Sequence, residues 1–357
     1  IVHTVPQWSF FDAFGEEDLL NWEERNLKIL EKKLGERPQN VEYLVELKID
    51  GLHVVLTYEG GVLKHAATRG DGKVGEDITG NAKMIESVPL KLKKEIDLIA
   101  EGEVWMDRNH FEQVNRDREK VGEPLFANPR NAAAGTIRQL NQAIVQERKL
   151  AVTAYDISAG ADNLQSKEEE LKLLKKLGFL VENEYWQVSG ISGVMKIYNE
   201  WIKKKESKPY WIDGLVVKIN SREYQELLGF TGKAPRWAIA MKFPAEQGKT
   251  VVREVNIQIG RTGKLTPVAV MDPVQLAGTT VTHATLHNFD EIKRLDLRIG
   301  DTVIVEKAGD IIPKVIRVLE KMRTGKEKKI TEPKTDPYGF TVERRVIAGK
   351  DGKTSAD

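Results

Sequence analysis

The chain has 357 residues, 40% hydrophobic and 31% charged, which is the balance of an ordinary globular protein. Lys and Arg number 55 against 54 Asp and Glu, so any hold on nucleic acid must come from local basic patches rather than a global field. The absence of Cys excludes disulfides and thiolate metal sites, and no apolar run approaches the ~18 residues needed to span a bilayer. At about 150 residues per domain the length predicts two or three domains. Residues 1–6 lack the basic and apolar regions of a signal peptide, so the chain is expected to be cytoplasmic. It lacks an initiator Met and reads as a fragment or a processed chain.

In chain order, Glu16, Glu17 and Asp18 place acids at a helix start, where the helix dipole favours them, and Leu20, Leu27, Leu30 and Leu34 recur at helical spacing. Gly35 and Pro38 stop this helix. Val45-Glu46-Leu47-Lys48-Ile49-Asp50-Gly51 and Val54-Val55-Leu56-Thr57-Tyr58 read as strands with Gly51 near the bend. Alternation puts Glu46 and Lys48 on one face and Val45 and Leu47 on the other. A strand lysine facing a pocket and followed by Asp-Gly suits a nucleophile, although a K-x-D-G four-mer taken alone reads first as an exposed lysine before a turn. Ala66 to Gly72 is a strand running into a glycine-rich turn, which either approaches a phosphate or closes a hairpin. Residues 99–105 form another strand, with Glu101 and Glu103 on one face. Arg108–Lys120 reads as a charged helix, and Phe126 to Gly135 enters a helix of small residues that permits close backbone packing. Ser166-Lys167-Glu168-Glu169 is a capping box opening an ordinary surface helix through Leu171, Leu174 and Leu177 to Gly178.

Ile212 to Ile219 is a strand in which Lys218 shares a face with Val216 while Leu215, Val217 and Ile219 face the core. In the next strand Trp237, Ile239, Met241 and Phe243 make the large apolar face, and Ala238, Ala240 and Lys242 the other. Two alanines ending in a lysine leave room for a flat ligand and a charge for its phosphate; a lysine snorkelling to water fits the same pattern. After Pro244 come about five short strands (251–259, 267–271, 281–286, 301–307 and 314–319) with frequent turns, which suits a small closed barrel of the OB type. Arg261, Thr262, Gly263, Lys264, His283, His287 and Lys307 are placed in its loops, where they either bind nucleic acid or are simply solvated. His283 and His287 are four apart in a strand reading, so no metal is assigned to them. From Arg323 the chain is polar and basic.

Several motifs stand in one order. They are Glu46-Leu47-Lys48-Ile49-Asp50-Gly51; Thr68-Arg69-Gly70-Asp71-Gly72 with Gly75-Glu76-Asp77-Ile78-Thr79; Glu101-Gly102-Glu103-Val104; and Phe126 to Gly135 with Arg138-Gln139-Leu140. They continue with Ile212-Asp213-Gly214 and Lys218; Lys233-Ala234-Pro235-Arg236-Trp237-Ala238 and Lys242-Phe243-Pro244; then Gly260-Arg261-Thr262-Gly263, Ala284-Thr285-Leu286-His287-Asn288 and Ala308-Gly309-Asp310-Ile311-Ile312-Pro313. This ordered set, over about residues 5–323, closely resembles the bacterial NAD-dependent DNA ligases. The resemblance implies an α+β nucleotidyltransferase (adenylation) domain with antiparallel sheets, followed by an all-β OB-fold barrel. The expected organisation is a remnant or linker at 1–15, the adenylation domain at 16–244, the OB domain at 245–322 and a polar basic tail at 323–357.

The resemblance further implies that Lys48 attacks the AMP phosphorus of NAD, that AMP passes to the 5′-phosphate of a nick, and that the 3′-hydroxyl displaces it to close the strand. On the family's pattern Lys48, Asp50, Glu103, Asp213 and Lys242 are the catalytic positions. Ser9, Phe10, Glu46, Lys48, Gly51, Arg69, Glu103, Lys218 and Lys242 fall on cofactor-binding positions, and Arg130, Arg138, Arg261, Thr262, Lys264 and Lys307 on DNA-binding ones. NAD and Mg²⁺ are the implied cofactors, nicked duplex DNA the partner, and a monomer the expected state. Mg²⁺ is expected with nucleotide phosphates near Glu103 rather than in a protein cage, with no zinc site. Phosphoryl transfer asks mainly for positioning and charge neutralisation, which Lys218, Lys242 and Arg69 supply. Cations crowded near Lys48 are expected to disfavour its protonated form, leaving an uncharged nucleophile.

There are departures from the family's pattern. Most of the helical domain that captures the nicotinamide half is missing, its trailing stretch surviving as Val5-Pro6-Gln7-Trp8-Ser9-Phe10. The four-cysteine zinc, helix-hairpin-helix and BRCT modules are absent, and Asn141 and Lys205 stand where Asp and Arg are usual. The alternatives are a truncated core that seals only pre-adenylated nicks, an ATP- or GTP-using relative, and a non-catalytic nucleic-acid-binding module.

Overall fold

The computed structural model describes all residues except 233, 261–262, 277–278, 308–311, 337, 344–345, 349–353 and 357. The chain divides into two compact units, Ile1–Phe243 and Pro244–Asp357. No helix among the described residues is long and apolar enough to cross a membrane.

The first unit runs β1 (Phe11–Ala13), α1 (Glu16–Leu34), β2 (Glu42–Ile49), β3 (Leu52–Glu59), β4 (Val62–Thr68), α2 (Thr79–Ala82), β5 (Leu98–Met106) and α3 (Arg108–Lys120). It continues with α4 (Pro129–Ile137), α5 (Gln142–Glu147), β6 (Leu150–Ala159), α6 (Lys167–Leu177), β7 (Tyr185–Ser189), α7 (Gly190–Lys204), β8 (Ile212–Ile219), α8 (Arg222–Leu228) and β9 (Ala238–Lys242). Two sheets result, a five-stranded one ordered β1-β9-β8-β2-β7 and a four-stranded one ordered β4-β3-β5-β6. Apart from the parallel β1–β9 pair, neighbouring strands are antiparallel.

Each sheet has its own core. Leu19, Trp22 and Leu30 of α1 and Val194, Tyr198 and Trp201 of α7 pack with Val45, Leu47, Leu215, Val217, Ile239 and Met241 of the five-stranded sheet. Ala132, Ala133 and Ile137 of α4 and Leu171, Leu174 and Leu177 of α6 pack with Val54, Leu56, Ala100, Val104 and Val152 of the four-stranded one. The alternation read in β2, β8 and β9 therefore holds: one face of each strand is buried against helices, and the other carries Glu46, Lys48, Lys218, Ala240 and Lys242 toward a shared cavity.

Local signals set the helix ends. Asp18 Oδ2 accepts from the Phe14 amide at 2.8 Å, and Gly35, at φ 84°, closes α1 by donating to Glu31 O. Ser166 Oγ accepts from the Glu169 amide at 3.2 Å to cap α6, and Asn128 caps α4 with Pro129 at its first turn. Asn141 caps α5 through the Ala143 amide at 3.0 Å, a task Asn performs as well as Asp. The helix expected from the leucine spacing forms and stops at Gly35; within it Leu19, Trp22, Asn26 and Leu30 are buried, whereas Leu20 and Leu34 are exposed. One reading is corrected. The α6 helix is no ordinary surface helix, since Lys167 and Glu170 on it are fully buried.

The second unit holds β10 (Glu246–Ile259), β11 (Leu265–Leu276), β12 (Thr279–Thr285), α9 (Phe289–Arg294), β13 (Arg298–Ile299), β14 (Thr302–Lys307) and β15 (Lys314–Val318). Strands β10-β11-β12-β15-β14 close into a barrel around Val252, Ala269, Met271, Val303 and Val305. The expected α+β unit followed by a small closed barrel is what the chain forms. Lys328 and Lys329 pair with Ile299 and Arg298, and Arg323 is held by Asp301 and Asp296 at 2.7 Å.

Candidate active site

Lys48 is the penultimate residue of β2, and Asp50 and Gly51 then carry the chain from the five-stranded sheet into β3 of the four-stranded one. That crossing presses the backbone onto β5. A Cβ on Gly51 would lie 2.1 Å from Val104 O and 2.8 Å from Glu103 Cγ. Gly51→Ala is therefore expected to push Glu103 and the β2–β3 crossing apart, destabilising the unit by about 2 kcal/mol or more, because a backbone atom cannot yield as a flexible side chain can. Thermal melting checks it, and an unchanged melting temperature would contradict this packing.

Between the two sheets lies a cavity of about 260 Å³. Glu46 and Lys48 enter it from β2, Lys218 from β8, Lys242 from β9 and Glu103 from β5, with Arg69 and Arg130 on its wall and Ser9 and Phe10 from the segment before β1. Tyr155 of β6 and His53 of β3 complete it.

Electrostatics organise this cavity into pairs. Asp213 holds two lysines at once: Lys48 Nζ lies 3.1 Å from Oδ1, and Lys242 Nζ lies 2.5 Å from Oδ2. Lys218 Nζ lies 2.6 Å from Glu46 Oε2, and this pair is nearly sealed from solvent, at 1% and 9% side-chain exposure. Arg130 pairs with Asp50 at 3.3 Å, and Arg69 donates to Ser9 Oγ at 2.8 Å.

These pairs overturn the expected charge on Lys48. Burial does oppose the ammonium, but Asp213, with Glu103 and Asp50, outweighs it and holds the pKa above the ordinary lysine value. The resting amine is charged. Burial also favours a neutral Asp213, yet Lys48 and Lys242 hold its pKa below the usual carboxylate range. Glu103 goes the other way: burial pushes it up to about 7, only partly offset by Lys48 and Arg130.

The structure brings together most of the residues the sequence singled out. Ser9, Phe10, Glu46, Lys48, Arg69, Glu103, Lys218 and Lys242 line the one cavity, and Asp50, Gly51 and Asp213 support it. Arg130, expected on DNA, also lines this cavity. Arg138 lies apart from it, half exposed and 2.7 Å from Glu76. Lys307 is no loop cation. It ends β14, is 7% exposed and donates to Thr279 Oγ1 at 2.7 Å. Lys264 lies in the turn between β10 and β11, whereas Arg261 and Thr262 lie outside the described residues. The glycine-rich turn after β4 approaches backbone rather than an open cradle: a Cβ on Gly72 would lie 2.6 Å from Gln7 O. The sequence reading missed Tyr155 and His53, which belong to no motif; strand alternation in β3 and β6 was the available signal.

Residues 1–246 match the NAD-dependent DNA ligase adenylation domain, and residues 249–327 match the NAD-dependent DNA ligase OB-fold domain. A DNA ligase of Thermotoga neapolitana is 46% identical over 358 residues, which cover 100% of this chain and 50% of that protein. A DNA ligase of Halothermothrix orenii is 48% identical over 338 residues, 94% of this chain and 49% of that one. A third, from Thermotoga maritima, is 46% identical over 358 residues, with 100% and 50% covered. The chain spans about half the length of the curated relatives it matches.

Proposed function

The chain belongs to the NAD-dependent DNA ligases, and from that membership we propose that it seals nicks in duplex DNA through an adenylyl group carried on Lys48, with NAD as the donor. The observation that carries the reading is the position of Lys48: its amine sits in the cavity between the two sheets, beside a carboxylate it shares with a second lysine.

In the first step the Lys48 amine, having lost a proton, attacks the AMP phosphorus. A P–N bond forms, the P–O bond to nicotinamide mononucleotide breaks, and that mononucleotide leaves with the electron pair. The proton must come off an ammonium whose pKa is raised. Asp213 is close but a weak base, because two lysines hold it ionised. Glu103, titrating near neutrality, is the stronger base facing the cavity. Lys242 and Arg69 are read as the cations that meet the phosphate. In the second step a 5′-phosphate oxygen displaces Lys48 from the AMP phosphorus, and in the third the 3′-hydroxyl displaces AMP.

The base end of the nucleotide is read at the Glu46–Lys218 pair. A carboxylate oxygen beside an ammonium offers one acceptor and one donor, which matches the amino group and adjacent ring nitrogen of adenine. Tyr155 supplies an aromatic wall there, with Lys218 Nζ 5.3 Å from its ring centre. Magnesium fits as an ion held by Glu103 together with phosphate oxygens and water. No cluster of three His, Cys, Asp or Glu that would cage a metal occurs among the described residues, and magnesium favours few carboxylates. When bound it supplies charge neutralisation at the phosphate. The barrel and the exposed Arg138 are read as surfaces toward duplex DNA.

The pH dependence follows from Glu103. With its pKa near 7, the carboxyl is neutral below that value and anionic above it. A base must be anionic, so with Glu103 acting as the base the rate of Lys48 adenylation is expected to rise from about pH 6 to about pH 8. Glu103→Gln should flatten this rise; a rise that persists in that variant assigns it to another group. To test the donor, labelled NAD, ATP and GTP are each incubated with the chain and the adduct is mapped. Label from NAD on Lys48 is expected; label from ATP or GTP alone would overturn the assignment.

A further inference from the structure

His53 has no part in the chemistry above, yet it stands half-buried in the wall of the same cavity with both ring nitrogens in use. Its protonation can be derived from its neighbours outward. Gln7 Nε2 donates to the Val5 carbonyl at 2.8 Å, which fixes the Gln7 amide with Oε1 toward His53. That oxygen lies 3.0 Å from His53 Nε2 and can only accept, so Nε2 carries the proton. Nδ1 is then bare and accepts from the Tyr155 hydroxyl at 2.6 Å. Glu101 Oε2, 3.6 Å from Nε2, is too far to compete for the proton. Burial, with Arg69 nearby, holds the ring's pKa down to about 3, so the imidazole is neutral at any working pH.

The chain Val5–Gln7–His53–Tyr155 joins two parts of the cavity wall. One end is the aromatic wall at the base end of the cavity. The other is the segment before β1, which carries Ser9 and Phe10 into the cavity and is tied to the turn after β4 by Gln7 N to Gly72 O at 2.8 Å and by Arg69 to Ser9. We propose that His53 is a positioning residue that locks the Tyr155 ring to the residue 5–10 segment, so that occupying the base end of the cavity with AMP orders that segment as well. The inference rests on the reading of the cavity as the AMP site. By linkage, whatever holds the segment in place also tightens AMP.

The test uses AMP alone as the probe. Its affinity is measured by calorimetry, and hydrogen exchange is followed at the Gln7 and Trp8 amides with and without AMP. In the parent chain AMP should slow exchange at both amides. His53→Phe keeps a ring but removes both bonds; it should weaken AMP about tenfold and abolish the slowing. His53→Gln again offers one acceptor and one donor and should restore both readouts. Tyr155→Phe should resemble His53→Phe, with no further loss when the two are combined, and it carries the test if His53→Phe fails to fold. If the parent chain binds AMP and the slowing survives in His53→Phe or Tyr155→Phe, the connection is wrong while the nucleotide site stands. If the parent chain does not bind AMP at all, the reading of the cavity falls and this inference with it.

Discussion

Lys48→Ala is expected to abolish the covalent AMP adduct and to reduce sealing of an ordinary 5′-phosphate nick by on the order of 10⁴-fold or more, because no other cavity amine can replace it. Lys218 is sealed against Glu46, and Lys242 is fixed on Asp213. A nick already carrying AMP on its 5′-phosphate needs no nucleophile from the protein. The same variant should therefore seal that substrate within about tenfold of the parent chain, since the cations that meet the phosphate remain. Gel assays on the two substrates separate the outcomes. Equal loss on both would show that Lys48 does something other than carry AMP. Asp213→Asn should behave differently and impair both substrates, because it releases Lys48 and Lys242 together.

The second large effect concerns stability rather than chemistry. Lys167 is fully buried, with its ammonium 2.7 Å from Asp156 and also paired with Glu170, whose other oxygen lies 3.1 Å from Arg222. Burial opposes charge on Lys167, Asp156 and Glu170. Yet Asp156 and Glu170 hold the lysine's pKa above its ordinary value, and Lys167 and Lys218 hold Asp156 well below its own. Glu170 is pushed up to about 7, chiefly by burial. Lys167→Ala leaves two buried carboxyls without their main cation, which is expected to cost about 3–5 kcal/mol. That corresponds to a melting temperature lower by roughly 10 °C for a unit of this size.

The loss should depend on pH with a definite sign. Without Lys167 both folded carboxyls favour the protonated form, with pKa values above those of the unfolded chain. The deficit should thus grow as pH rises through and beyond the ordinary carboxylate range and shrink as pH falls. Adding Asp156→Asn and Glu170→Gln to Lys167→Ala should recover much of the loss. A deficit independent of pH and unrelieved by those changes would point to lost packing instead.

These cases show what could be read from the sequence. Lys48, Lys218 and Lys242 were legible because strand alternation decides which side chains share a face, and the buried partners Val45, Leu47, Val217 and Met241 confirm the alternation. The charge on Lys48 was not legible. Counting cations near it ignored Asp213, Glu103 and Asp50, which reach the cavity from β8, β5 and the β2–β3 crossing. Lys167 and Glu170 were misread because residues of these types are almost always solvated, and their burial depends on Asp156 of β6 and Arg222 of α8. Lys307 was misread for a similar reason: only the barrel's closure shows that the end of β14 is buried. His53 and Tyr155 carry no motif, and their meeting depends on the pairing of β3 and β6 with β5.

The account depends most on the amine of Lys48 taking up an adenylyl group. Intact-mass measurement of the chain after incubation with NAD and magnesium tests this directly, with Lys48→Ala alongside. The account predicts one AMP-sized gain in the parent chain, localised to Lys48, and none in the variant. A parent chain that gains no mass from NAD, or an adduct that persists in Lys48→Ala, would contradict it.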